Sequence, residues 1–155
     1  MDIRTELDNY LAEKRLLVEA AVREFRAGAS AAEIARALAP AFSRDIVTSY
    51  LAAIARADSA RTALAETSLN VVAAVHVSGI DAPREATVSI GADPAEIDDI
   101  EALPHRIRAA LAPFHLALAL PRDKDPGAGE TPDEAVDRLM LEGEPVLIVR
   151  AVPRR

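Results

Sequence analysis

The chain has no cysteine and no tryptophan among its 155 residues, and only 3% of them are aromatic. Without cysteine there is no disulfide framework, no thiol nucleophile and no zinc site built on thiolates. That absence leaves the compartment open, because a cysteine-free chain suits either redox state. Lysine is nearly missing as well: Lys14 and Lys124 are the only two, and arginine carries the remaining positive charge. Long apolar runs are also lacking. A bilayer helix needs roughly 20 apolar residues, whereas the longest candidates here, around Val71 and Leu116, are only strand-length. The opening Met1-Asp2-Ile3-Arg4-Thr5-Glu6 mixes charges of both signs and has no apolar core of the kind a signal peptide carries. The sequence therefore predicts a cytoplasmic protein with no membrane partner.

What is present is a globular composition, half hydrophobic and 28% charged, in a length that suits one domain or two small ones. The formal net charge is -7, the wrong sign for a simple nucleic-acid binder. Its distribution is uneven. Residues 1–68 hold nine basic and ten acidic side chains, a net of -1, and residues 69–155 hold nine and fifteen, a net of -6. Nucleic-acid binding, if present, belongs to the nearly neutral first half and requires a local basic patch.

The first half reads as helices. Leu7, Leu11, Val18, Val22 and Phe25 recur at helical spacings between charged residues, and Gly28 ends the pattern. Ser30 then opens Ser-Ala-Ala-Glu, a capping box with Glu33, ahead of a short helix over Ala31 to Ala39 that Pro40 stops. Ser43 is the next N-cap. Asp45 stands in the first turn of a helix whose buried stripe is Val47, Tyr50, Leu51 and Ile54; its pattern can run on to about Glu66, although Asp58-Ser59 permits a break.

Beyond Asn70 the period becomes strand-like. Val71 to Val77 and Thr87 to Ile90 read as strands separated by the turn-rich Gly79 to Pro83. Leu103 to Leu111 reads as a helix and His115 to Leu120 as an alternating strand. Arg122 to Pro132 is an exposed loop. A helix capped by Thr131 follows, with Val136, Leu139 and Met140 on its apolar side, and Val146 to Val152 closes the chain as a strand. The expected fold class is α+β: an all-α unit over residues 1–68, then a small β-β-α-β-α-β unit over residues 69–155, expected to serve dimerisation or ligand sensing. Strands joined by helices predict at least partly parallel pairing.

One stretch points to function. Phe25-Arg-Ala-Gly-Ala-Ser-Ala-Ala-Glu-Ile-Ala-Arg-Ala-Leu, followed by Ser43-Arg-Asp-Ile-Val-Thr-Ser-Tyr-Leu51, resembles the helix-turn-helix of resolvase/invertase-type DNA-binding domains and of many small bacterial regulators. Gly28, Ser30, Glu33, Ile34, Ala35, Leu38, Ser43, Arg44, Val47, Tyr50 and Leu51 carry the resemblance, which covers about 27 residues. The turn from Leu38 to Ser43 is about two residues longer than the commonest form and holds Pro40 rather than glycine. The resemblance implies a second helix presented to the major groove of double-stranded DNA. Ile34, Leu38, Val47 and Leu51 would then be its miniature core, with Ala35 at the close crossing. Its candidate DNA-binding residues are Ser30 and Ser43 at the helix N-termini, and Arg44, Asp45, Thr48 and Ser49 on the outward face. Arg56 adds positive charge. Proteins of this kind pair two half-sites, so the resemblance also implies a homodimer.

Other chemistry finds little support. His76, His105 and His115 are the only histidines, with no His-x-x-x-His pair, so no metal site is expected. Asp98, Asp99 and Glu101 precede a helix whose dipole accounts for them. The glycines at 127 and 129 lack the Gly-Lys-Ser/Thr ending of a phosphate loop. With no catalytic constellation, no cofactor and no enzyme activity are expected, and nothing in the sequence names a small-molecule effector. The sequence-based expectation is a DNA-binding regulator. Two alternatives are an interaction or assembly module, whose Arg44 face would be packed away, and a small-molecule-binding module, for which an apolar pocket in residues 69–155 would speak.

Overall fold

Three helices begin the chain in the computed structural model, which describes residues 2–81, 86–92, 98–121, 123–141 and 147–152. Helix α1 spans Ile3–Arg26, α2 Ala31–Leu38 and α3 Arg44–Glu66. Each boundary has a local cause. Asp2 caps α1 by accepting the Arg4 N–H. At the other end Gly28, at φ 110, turns the chain through the left-handed region that favours glycine. There the Ala29 N–H reaches the Glu24 carbonyl and the Gly28 N–H reaches that of Phe25, closing the helix with a Schellman motif. The Ser30–Glu33 capping box forms as expected, with both reciprocal hydrogen bonds present.

A four-stranded sheet follows, built from β1 (Ala73–Val77), β2 (Val88–Ala92), β3 (Leu116–Ala119) and β4 (Leu147–Ala151) in the order β1-β2-β4-β3. Helices α4 (Leu103–Leu111) and α5 (Pro132–Leu141) lie between the later strands in sequence. The fold is α+β. The expectation of parallel pairing is overturned, because every neighbouring pair is antiparallel. The reason is topological. Strands β2 and β3, joined through α4, do run in the same direction, but β4 is inserted between them, giving a split β-α-β unit. The strands that a helical crossover makes parallel are therefore not neighbours.

Contacts divide the chain into two compact units, Met1–Ala52 with Gly79–Glu85, and Ala53–Ser78 with Ala86–Arg155. The division falls inside α3, not after residue 68 as the change of period suggested. The first unit's core is Ala21, Ile34, Ala35, Leu38, Phe42, Val47 and Leu51, with Val18, Phe25, Tyr50 and Ile80 packed against it. In the second unit the later part of α3 buries Ala53, Ala57, Ala60, Ala63 and Leu64. Its Arg61 donates a 3.3 Å hydrogen bond to the Val75 carbonyl of β1. Val88, Ile90 and Val149 of the sheet are buried, as are Leu103, Ile107 and Leu111 of α4 and Val136 and Leu139 of α5. Thr131 and Glu134 form a second capping box at α5. Pro83, Arg122, Val146 and the side chain of Met140 lie outside the described residues.

Candidate nucleic-acid interface

Helices α2 and α3 are joined by residues 39–43, and their relationship is held by apolar contacts. Ile34 and Leu38 of α2 are buried together with Val47 and Leu51 of α3, as their spacing predicts. Ala35, only 4% exposed, supplies a small side chain in the same cluster. Phe42 joins them from the connecting segment. Sequence reasoning missed Phe42, because a lone aromatic in a turn has no periodic partner to mark it. A connection with its own core anchor is held in place despite its length.

The two serines act as caps. Ser30 Oγ accepts the Glu33 N–H at 3.1 Å, and Glu33 accepts the Ser30 N–H at 3.3 Å. The N-terminus of α2 is thus already occupied by a carboxylate, which disfavours a phosphate there. Ser43 Oγ accepts the Ile46 N–H at 3.3 Å, so α3 begins with an N-cap and with Arg44 and Asp45 exposed beside it.

The remaining predicted residues separate. Arg44 and Asp45 are open to solvent, whereas Thr48 and Ser49 are half-buried. The Thr48 hydroxyl is directed at the carbonyls of Arg44 and Asp45, at 3.0 and 3.3 Å. Its proton is therefore committed to the helix. Arg56 lies about three turns further along α3. It belongs to the second unit, half-buried, where it donates to the Ala86 carbonyl at 3.5 Å. Arg26 and Arg36 are exposed in the first unit. Burial pushes the Tyr50 phenol above its usual range, and the nearby Arg26 charge opposes that shift. Ile46, 46% exposed, lies on the far side of Asp45 from Arg44 around α3. It falls outside the inward stripe, and an exposed isoleucine there is a feature that the sequence pattern did not single out.

The second unit holds a half-open cavity of about 360 Å³ beside β3. Leu116, Leu118 and Val152 line it with Arg108, Asp133 and His115. Arg108 is already engaged by the Asp137 carboxylate and by the Asp133 carbonyl at 3.2 Å. Among the described residues no group of three metal-ligating side chains gathers, and no helix is long and apolar enough to cross a membrane. Comparison with protein-family models, with curated proteins and with solved structures gives no match.

Proposed function

We propose that the protein is a sequence-specific DNA-binding regulator that reads the major groove with the first turns of α3 and acts as a homodimer. The observation that carries this reading is the pairing of a shared apolar core with an open helix start. Ile34, Leu38, Val47 and Leu51 hold α3 against α2, while Arg44, Asp45 and Ile46 face solvent at its N-terminal end. Arg44 can make a bidentate contact to guanine or reach a phosphate, and Ile46 is suited to a thymine methyl group. Asp45 would accept from cytosine or exclude a phosphate, so the face selects among sequences rather than gripping the backbone alone.

Selection of bound sites from random duplex DNA tests the reading. A recovered motif with two-fold symmetry and half-sites about 10 base pairs apart supports it. Recovery of no motif at low salt, where counterion release favours binding, overturns it.

The cavity beside β3 favours a second reading, a module for small molecules, because it is lined mainly by apolar side chains. With Arg108 held by its own carboxylate partner, the ligand suited to it is apolar and uncharged. Ligand-induced thermal stabilisation that Leu118→Asp abolishes would support this alternative.

A further inference from the structure

Helix α1 has one apolar stripe with two fates. Over its last turns, Val18, Ala21 and Phe25 pack against the core of the first unit. Over its first turns, Ile3, Leu7, Tyr10 and Leu11 continue the stripe but are 86%, 52%, 59% and 46% exposed. Lys14 marks the change, since its ammonium lies over the Phe42 ring and bonds Asp81. About three turns of amphipathic helix therefore stand with their apolar side uncovered, more than the scattered single residues of an ordinary surface.

We infer that a second copy of this chain covers this stripe, the two α1 helices running parallel. The orientation follows from charge. At about 100° per residue, Glu6 and Glu13 fall along one edge of the stripe and Arg4 and Arg15 along the other. Asp8 lies further round, behind both arginines. None of these four edge side chains has an ion-pair partner among the described residues. In a parallel pair the acidic edge of one helix meets the basic edge of the other on both sides of the seam. In an antiparallel pair each edge meets its own kind, which repels. Ile3, Leu7 and Tyr10 are spaced four and three apart, the step of a two-helix seam.

The area sets the strength. Four side chains per copy bury a few hundred Å², below the roughly 800 Å² per partner of a standard interface. The dimer therefore forms reversibly with rising concentration. Its use in pairing two DNA half-sites rests on the proposed function, but the association itself does not.

Sedimentation of the full chain without DNA, from about 1 to 100 μM, tests this. The expected result is a concentration-dependent dimer that Leu7→Asp with Leu11→Asp abolishes, while the unfolding midpoint changes little at concentrations where the wild type is itself monomeric, because both residues are exposed. The absence of native cysteine allows orientation to be read directly. Ile3→Cys should form a disulfide-linked dimer on mild oxidation, whereas a mixture of Ile3→Cys and Leu11→Cys chains should give few mixed links. A strict monomer at 100 μM, or a dimer indifferent to the Leu7 and Leu11 changes, overturns the interface. Preferred Ile3→Cys to Leu11→Cys linkage overturns the parallel arrangement. Loss of DNA recognition alone would leave all three outcomes untouched.

Discussion

Lys14 Nζ donates a 2.6 Å hydrogen bond to Asp81 Oδ1, joining two side chains 67 residues apart. The same ammonium lies 5.4 Å from the centre of the Phe42 ring and 6.0 Å from that of Tyr10, within the range of cation–π attraction. This cluster fixes the segment at Ile80–Asp81 to the helical unit, where Ile80 also packs on the core.

The ion pair has a pH signature. The hydrogen bond it donates to Asp81 holds the Lys14 ammonium above its usual 10.5. A raised folded value means that the stabilisation is fully present below the unfolded pKa and is lost as pH rises through the folded one. Lys14→Met and Asp81→Asn should each lower the thermal midpoint slightly at neutral pH. The deficit relative to wild type should shrink as the solution becomes alkaline enough to neutralise Lys14, as followed by circular dichroism melts. A deficit that is constant with pH would mean that the loss comes from packing alone.

Glu130 gives the opposite case. Arg138 donates to both of its carboxylate oxygens, at 3.0 and 3.2 Å, and the Gly127 N–H donates to Oε2 at 2.8 Å. The Arg138 bonds, then the Gly127 bond, hold the carboxyl below its usual 4.5. Here the stabilisation is present above the unfolded pKa and disappears as pH falls through the depressed folded one. Glu130→Gln should therefore be less stable than wild type at neutral pH and converge with it in acid. Urea unfolding from about pH 7 to pH 3 checks this.

Leu51 is 1% exposed at the centre of the first unit's core. Its replacement by alanine should cost about 2–5 kcal/mol, measurable by denaturant unfolding. Because α3 is held against α2 through this residue, the proposed DNA-binding reading expects the same substitution to abolish DNA recognition even at temperatures where helix content survives.

Arg44→Ala should instead separate binding from folding. Arg44 is exposed at the start of α3, so stability should change little. Affinity for a selected site should fall about tenfold, within the 1–3 kcal/mol of a good bidentate base contact. Wild-type affinity should itself fall steeply with salt, through counterion release. Titration at two salt concentrations measures both. An affinity unchanged by the substitution would remove Arg44 from the interface.

The sequence by itself determined the helices and their ends, because those depend on neighbours within a few residues. Gly28, the Ser30–Glu33 box and the Thr131 cap act locally, and the spacing of Ile34, Leu38, Val47 and Leu51 marks the side that is buried. Tertiary structure alone decided what long-range partners decide. Strand β4 enters between β2 and β3 and makes the whole sheet antiparallel, a pairing that no local pattern encodes. Helix α3 serves two cores in one unbroken run. The predicted interface was reshaped in the same way. Arg56 is drawn to the Ala86 carbonyl and Thr48 to its own helix, because a polar side chain's reach is settled by the acceptors that folding brings near it. The stripe of α1 shows the same limit. Its periodicity runs from Leu7 to Phe25, yet only the fold reveals that the covering core ends near Lys14.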